Sequence, residues 1–464
     1  MRQYILYLLI IIYPAGLYAQ TDVSAQPLIL ENAKDRATLM PAPEAEYNQM
    51  VVYAADDKTV TALHYNSALF FTGRLQAPRP GKGYEKLAGY SFSTDTAYAY
   101  WVPGGYVGRE IMVQGFNFTT GNITTKALEL PVKSTKIIRA FNGNNVRYVL
   151  AKTKDKNKLD LCVISGSTIE KHTLDFSGIR LKNHNGKSIN IKRALKLFPM
   201  SEVSVTGFNS LPEASSTTKL YVLPDALLIT MDHYRNATQS LRIDLKNYTV
   251  TGNVFDQPLD GVANTASFYN MGTLYQLAIT KDKLELKAVN FDTGKLLKTY
   301  TAEKNDSIPF ATTGLKEQTG SNDVETIDTR KFLKRASMGS AALSVYHTPN
   351  DILVSAGAVR YVTPGINIFM GAVVTMAGGE SGDYGFDDQD QQTQYFESLF
   401  DENFNYLPFE PQLLAVDHIN DYLNNKSSIS LATVVPFTYY YILGYYDTET
   451  KQYILRRFED DSAY

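Results

Sequence analysis

The chain has 464 residues, and 45 Lys and Arg against 48 Asp and Glu give a formal net charge of -3 at pH 7. Hydrophobic residues make up 44% and charged residues 20%, ordinary values that exclude a largely disordered chain. The near-neutral balance leaves no broad basic field for nucleic-acid phosphates or anionic lipid, so no nucleic-acid partner is expected. The 32 Tyr and 22 Phe favour strands over helices.

At the start of the chain, Arg2, the apolar run from Ile5 to Ile12 and the small residues Pro14, Gly16 and Ala19 read as a secretory signal peptide over residues 1–19. The cut is expected after Ala19, with Ala25 as the alternative. The apolar run is shorter than the ~20 residues that span a bilayer. The protein is therefore expected to be exported to the periplasm, the cell surface or the medium, with no membrane span after cleavage. Residues 20–48, rich in Ala, Pro and acids, read as a loosely ordered leader. The one cysteine, Cys162, cannot form an internal disulfide, and its place in KLDLCVIS marks a small buried strand residue.

From there the chain repeats itself. Asn117 to Ile123 read NFTTGNI and Asn290 to Lys295 read NFDTGK, each an apolar strand end, a polar turn with Gly, and a new strand. Similar turns follow Ile164, Leu245, Phe400 and Tyr446. With Phe118 and Phe291 these six markers are separated by 46, 81, 46, 109 and 46 residues, by subtraction of their positions. A unit of about 40–50 residues with four short strands is the layout of a β-propeller blade. Leu284, Leu286 and Ala288 alternate with Glu285, Lys287 and Val289, the period-2 pattern of a strand. The expected fold is a single all-β propeller domain over residues 49–464, with about six blades. Extra strands in 50–75 and 330–400 leave room for seven or eight. Insertions are expected at 179–215, 303–330 and 377–392. Ring closure is expected to join N-terminal strands, QMVVYAA and TVTALHY, to the last ones.

The stretch LKAVNFDTGKLLKTY resembles one repeat of the PQQ-type β-propellers through Ala288, Asp292, Thr293, Gly294, Lys295 and Tyr300, with Tyr300 where that family carries Trp. The resemblance covers about fifteen residues and implies the blade hairpin, not the quinone. Ser91 to Trp101, SFSTDTAYAYW, resembles a single Asp-box turn of sialidase-like propellers with Ala97 in place of its Gly.

Standard catalytic signatures are absent: there is no His-Glu-x-x-His helix and no Gly-x-Ser-x-Gly elbow. Two groups are candidate ligand-binding residues. Tyr98, Tyr100, Trp101 and Tyr106 end a strand in a Gly-rich loop and offer stacking faces for a glycan or peptide. His233 and Arg235, in DHYRN, have the residue types of a polar channel lining. Asp383, Asp387, Asp388 and Asp390 in GDYGFDDQDQQ offer oxygens to a hard cation, so Ca²⁺ is the candidate cofactor. The expected function is that of a secreted or cell-envelope, non-catalytic binding or scaffolding module for a protein or glycan. The alternative is a carbohydrate-active hydrolase or lyase using carboxylates at the channel mouth.

Overall fold

A computed structural model of the chain describes residues 20–31, 37–45, 48–81, 83–103, 110–133, 136–259, 264–320, 324–362, 390–437 and 439–461. Residues 1–19, Tyr106, Asp383, Asp387 and Asp388 lie outside them. Among the described residues no helix is long and apolar enough to cross a membrane.

Among the described residues the strands form seven mainly antiparallel sheets of four or more strands, plus a two-stranded hairpin, Leu181–Lys182 with Ser188–Ile189. The first five sheets begin with the strands Thr38–Pro43, Lys86–Ser93, Ile137–Gly143, Thr218–Val222 and Asn264–Asn270. The sixth and seventh begin with Ser340–His347 and Ile429–Pro436. Apolar residues fill the seams between consecutive sheets. Leu87 and Trp101 of the second sheet meet Val51 and Tyr53 of the first. Phe141 and Leu161 of the third meet Leu220 and Ile229 of the fourth. The series returns on itself, because Val435 and Ile442 of the seventh sheet pack against Met50 and Val52 of the first. A closed ring of sheets, each packed on its two neighbours, is a β-propeller.

The repeated turn works the same way in both copies. The Asn117 side-chain oxygen accepts from the Thr120 amide at 2.8 Å and hydroxyl at 3.0 Å. Asn290 does so from Thr293 at 2.9 and 2.8 Å. Gly121 and Gly294 then take φ of 74° and 69°, which L side chains resist. Both turns join the third and fourth strands of their sheets.

The marker count falls one short of the sheet count because the first sheet carries no marker, and the last marker sits at a different turn from the others. The first sheet has an equivalent turn at Asn66, whose side chain accepts from Ala68 and Phe70, but it carries no Thr-Gly signature. The Tyr446 marker belongs instead to a second-to-third turn, between Tyr441–Asp447 and Gln452–Phe458. The seventh sheet has no third-to-fourth turn at all, because its outer strand is Gln20–Pro27 from the other end of the chain.

That strand corrects the expectation for residues 20–48. They hold two strands: Gln20–Pro27 closes the ring, and Thr38–Pro43 is the inner strand of the first sheet. The Ala and Pro content that suggested a loose leader suits strands at a sheet edge or inner edge, where fewer backbone amides need partners. Closure does join the two ends of the chain. It uses Gln20–Pro27, not QMVVYAA or TVTALHY, which lie inside the first sheet.

The expected insertions also sort out physically. Residues 179–215 hold the small hairpin and two short helices, Ile191–Leu197 and Leu211–Ala214. The 303–330 region is not only loop. Its strand Lys316–Thr319 pairs with Asp390–Phe400 and extends the sixth sheet outward. Glu317 there is buried against Arg335 and Gln394. The 377–392 region lies almost wholly outside the described residues. Cys162 is buried in its strand as expected, and burial pushes its thiol up to about 11.

One insertion reaches across the ring. Ser201–Glu202 adds in parallel to the inner edge of Thr218–Val222 in the fourth sheet. The chain then passes to the sixth and seventh sheets, which do not neighbour the fourth. The Phe208 amide donates to the Tyr441 hydroxyl at 2.6 Å. Ser344 donates to the Asn209 carbonyl at 2.6 Å. Leu211 packs with Ala342 and Val359. Asn209 knits the crossing together: it accepts from the Ser204 amide at 2.8 Å and donates to the Ser204 and Gly207 carbonyls at 2.9 and 3.0 Å. The centre of the ring is therefore occupied by the chain itself.

Candidate functional site: an acidic cleft between the sixth and seventh sheets

A cleft of about 940 Å³ lies at the seam of the sixth and seventh sheets. It opens on the face of the ring that carries the first-to-second strand turns. All its lining residues fall between Thr348 and Asp461, so none comes from sheets one to five and it is not the channel mouth.

Local chemistry sets its walls. On one side, Thr348 closes a tight turn by accepting from the Asp351 amide at 3.0 Å. Below it, Asp401 accepts from the Asn403 and Asn405 amides at 2.9 and 2.8 Å, which holds its carboxyl below the usual carboxylate range. From there Pro408 and Pro411 keep the loop extended and hold Phe409 outward, 66% exposed. Opposite stands Tyr439, 67% exposed, in the first turn of the seventh sheet.

The end of the chain forms the third wall. Asp460 accepts from the Ala415 amide, at the start of helix Ala415–Asn425, at 2.8 Å and from the Tyr346 hydroxyl at 2.9 Å. A carboxylate there complements the partial positive charge of the helix N-terminus. Burial nevertheless pushes the Asp460 carboxyl up. Asp461 sits 2.9 Å from His418. The Arg457 guanidinium pairs with Glu459 at 2.6 Å and lies 4.1 Å from the centre of the Tyr440 ring.

Six carboxylates, Asp351, Asp401, Glu410, Glu459, Asp460 and Asp461, thus face a single cation, Arg457. Asp401, Glu459, Asp460 and Asp461 are engaged in the fold's own hydrogen bonds and ion pairs. The floor, with Leu353, Leu399 and Leu407, is apolar. The arrangement offers negative charge over an apolar trough with two exposed rings. It does not set two carboxylates facing each other across a reacting bond.

Sequence reasoning missed this site. The signal was present: an aromatic between two prolines at 408–411, and the acidic run Glu459-Asp460-Asp461. What joins them is tertiary, since they come from different sheets.

The residues that sequence reasoning chose lie elsewhere. Tyr100 and Trp101 are buried on opposite faces of their strand, packed in the seams toward the third and first sheets. The Tyr100 hydroxyl is hydrogen-bonded to Ser91 at 2.6 Å and donates to the Gly166 carbonyl at 3.0 Å. Tyr98 is half-buried, its ring against Gly166. These rings are seam packing and leave no open stacking face at Tyr100 or Trp101. His233 is buried, parallel to the Phe198 ring at 4.0 Å, with Nε2 2.9 Å from the Lys182 carbonyl. Its burial holds it below the usual histidine value. Arg235 is exposed in the turn that follows. The aromatic and DHYRN groups belong to the second and fourth sheets and form no joint site. Asp390 begins the strand Asp390–Phe400, and the other three acids of its loop lie outside the described residues. Among the described residues no three His, Cys, Asp or Glu side chains cluster as metal ligands. The segment that resembles a PQQ-type repeat forms the outer hairpin of the fifth sheet, as expected.

The fold defines the class, an all-β propeller. No protein-family model matches the chain, and no curated protein matches it. Among solved structures, the WD40 domain of SCAP from fission yeast is similar over 92% of this chain and 85% of its own, at 12% identity and a TM-score of 0.32. A mutant apocarotenoid oxygenase from Synechocystis is similar over 61% of this chain and 64% of its own, at 11% identity and a TM-score of 0.29. An ACO/RPE65 chimera is similar over 59% of this chain and 62% of its own, at 10% identity and a TM-score of 0.29. Likenesses this remote carry neither an activity nor a partner to this chain. The fold assignment rests on sheet order and the closed series of seams.

Proposed function

We propose that this protein is an exported, non-catalytic binding module that holds a positively charged segment of a partner protein in the cleft between its sixth and seventh sheets. The observation that carries the reading is the pairing of Phe409 and Tyr439, both exposed, with six carboxylates around an apolar floor. Exposed aromatics of this kind anchor partners, since they bring large contact area with few rotatable bonds. The surrounding negative potential selects and steers a cationic segment. Catalysis is disfavoured because most of the acids already serve the fold, and because the channel mouth, where a hydrolase would gather its carboxylates, is crossed by residues 201–214.

The test is a fluorescence-anisotropy titration with labelled twelve-residue peptides. An Arg/Lys-rich peptide carrying one Tyr is compared with an acidic peptide of equal length and with neutral oligosaccharides. The cationic peptide is expected to bind, and to weaken as salt rises from 50 to 300 mM. Phe409→Ala and Tyr439→Ala should each weaken it roughly 30-fold, the effect of losing an anchor worth about 2 kcal/mol. Equal binding of the acidic peptide would sink the reading. Cleavage of an oligosaccharide would transfer the case to the hydrolase.

A further inference from the structure

We propose that a basic surface built within residues 152–197 docks this protein on an anionic lipid surface, with Leu197 entering the headgroup layer. The near-neutral total conceals a local excess. Residues 151–200 carry eleven Lys and Arg against four Asp and Glu, a charge of +7, so the rest of the chain carries -10 to make the total of -3. This surface is separate from the acidic cleft, and each can fail its own test alone.

Three pieces of chain make the surface. The first is the turn between Val146–Lys152 and Lys158–Ser165, the second and third strands of the third sheet. Helix Ile191–Leu197 lies against it, where Lys192 Nζ donates to the Thr153 carbonyl at 2.8 Å. The helix starts at Asn190, whose side chain accepts from the Arg193 amide at 3.0 Å. Its residues Ile191, Ala194 and Leu195 are buried at the seam of the third and fourth sheets. That spacing turns Arg193, Lys196 and Leu197 outward, and Leu197 is 52% exposed. The third piece is the hairpin 181–189. His233 ties it in: the ring stacks on Phe198, just past the helix, and Nε2 lies 2.9 Å from the Lys182 carbonyl. His233 sits in the second-to-third turn of the fourth sheet. The surface therefore lies on the face of the ring opposite the cleft.

Lys154, Lys156, Lys187, Arg193 and Lys196 are all exposed. Among the described residues no carboxylate pairs with any of them. Lys158 and Lys171 do pair, with Asp175 at 3.2 Å and Asp160 at 3.9 Å, and are neutralised within the third sheet. Asp155, the acid of the turn, accepts from the Asn157 amide at 2.8 Å. Cations held together on a rigid surface repel one another, and an anionic partner relieves that repulsion. Basic side chains around an exposed aliphatic one suit a lipid surface: the cations meet phosphate, and the aliphatic group enters the edge of the acyl layer. A nucleic acid would leave Leu197 in water, since single strands are held by stacking on aromatic rings. Docked this way, the ring holds its acidic cleft away from a surface of the same charge and open to a cationic partner.

The experiment is cosedimentation of the full chain with vesicles of roughly 30% phosphatidylglycerol in phosphatidylcholine, and with vesicles of phosphatidylcholine alone. The apolar run of residues 1–19 is common to wild type and variants, so whatever it adds is the same in each. Stronger binding to the anionic vesicles is expected, and the excess should vanish as salt rises from 50 to 300 mM. Each basic side chain near an anionic leaflet is worth about fivefold, so Arg193→Ala/Lys196→Ala should weaken binding roughly 25-fold. Leu197→Ser should weaken it about tenfold and leave binding to heparin, a polyanion with no acyl layer, unchanged. All three positions are exposed, and an unchanged urea midpoint checks that the variants fold. Equal binding to both kinds of vesicle, or an unaffected double variant, overturns the proposal. A Leu197→Ser chain that binds vesicles as wild type does, with heparin competing, makes this a site for soluble polyanions and overturns the lipid assignment.

Discussion

Lys219 and Asp232 provide the sharpest stability test, because both are charged and both are almost completely buried, at 0% and 1% side-chain exposure. They lie 3.7 Å apart at the seam of the fourth and fifth sheets. Lys219 also donates to the Ser216 carbonyl at 2.7 Å. Asp232 accepts from Thr238 at 2.8 Å and from the Ser267 amide and hydroxyl at 2.8 and 2.9 Å. Ser267 belongs to the fifth sheet, so the carboxylate bridges two blades. Burial lowers the Lys219 value, which means that desolvation outweighs the attraction of Asp232. Lys219→Met keeps the length of the side chain and removes the cation. Asp232 is then a buried charge with neutral donors only. Breaking such a pair costs roughly 3–5 kcal/mol. At ~2.1 cal/mol/K per residue, a chain of 464 residues unfolds with an entropy of about 1 kcal/mol/K, so the melting temperature should fall by about 3–5 °C. The double variant Lys219→Met/Asp232→Asn removes both charges and should lose less than the sum of the two single losses, by at least about 1 kcal/mol. The assay is thermal and urea unfolding of the four proteins in one double-mutant cycle. A Lys219→Met loss below about 1 kcal/mol, or strict additivity in the cycle, would refute the claim that the pair acts as a unit.

Two other predictions concern the interior. Asn209→Ala removes three hydrogen bonds, one buried and two part-buried, from the segment that crosses the ring. At about 1 kcal/mol each, the expected loss is about 3 kcal/mol in urea unfolding, and Asn209→Asp should be no milder because it keeps only the acceptor. His233 yields a pH prediction. Nε2 donates to the Lys182 carbonyl, so the bare Nδ1, which has no partner among the described residues, must take the second proton inside the seam. The folded state thus binds that proton less readily than the unfolded chain. The stability linked to His233 is present above about pH 6.5 and lost as pH falls through its lowered folded value. His233→Gln should shrink the drop in urea midpoint between pH 7.5 and pH 5, and an unchanged drop would count against this reading.

How much of this was legible in the residues can be argued element by element. The Asn-x-x-Thr-Gly turns are local: one side chain accepts two bonds within its own loop, and glycine supplies the positive φ. Such turns repeat wherever the same hairpin is needed, so the all-β fold and its repeat could be read directly. Buried Cys162 followed from strand alternation for the same reason. Alternation also told that Tyr98, Tyr100 and Trp101 sit on a strand. It could not tell that each face of that strand meets another sheet, which is why those rings turned out to be seam packing rather than a stacking platform.

What the sequence by itself determined is therefore whatever depends on neighbours a few residues apart: strands, hairpins, and the pattern that makes a propeller. Only the tertiary structure decided the rest. Strand Gln20–Pro27 pairs with residues more than four hundred positions away, and nothing in its composition names that partner. Residues 201–214 cross the ring through bonds to Ser344 and Tyr441. The acidic cleft exists because the packing of the seventh sheet on the sixth brings the 348–351 turn, the 408–414 loop and residues 459–461 together. Charge and aromatic exposure become a site only when separate elements share one surface, and that is set by the long-range packing of sheets.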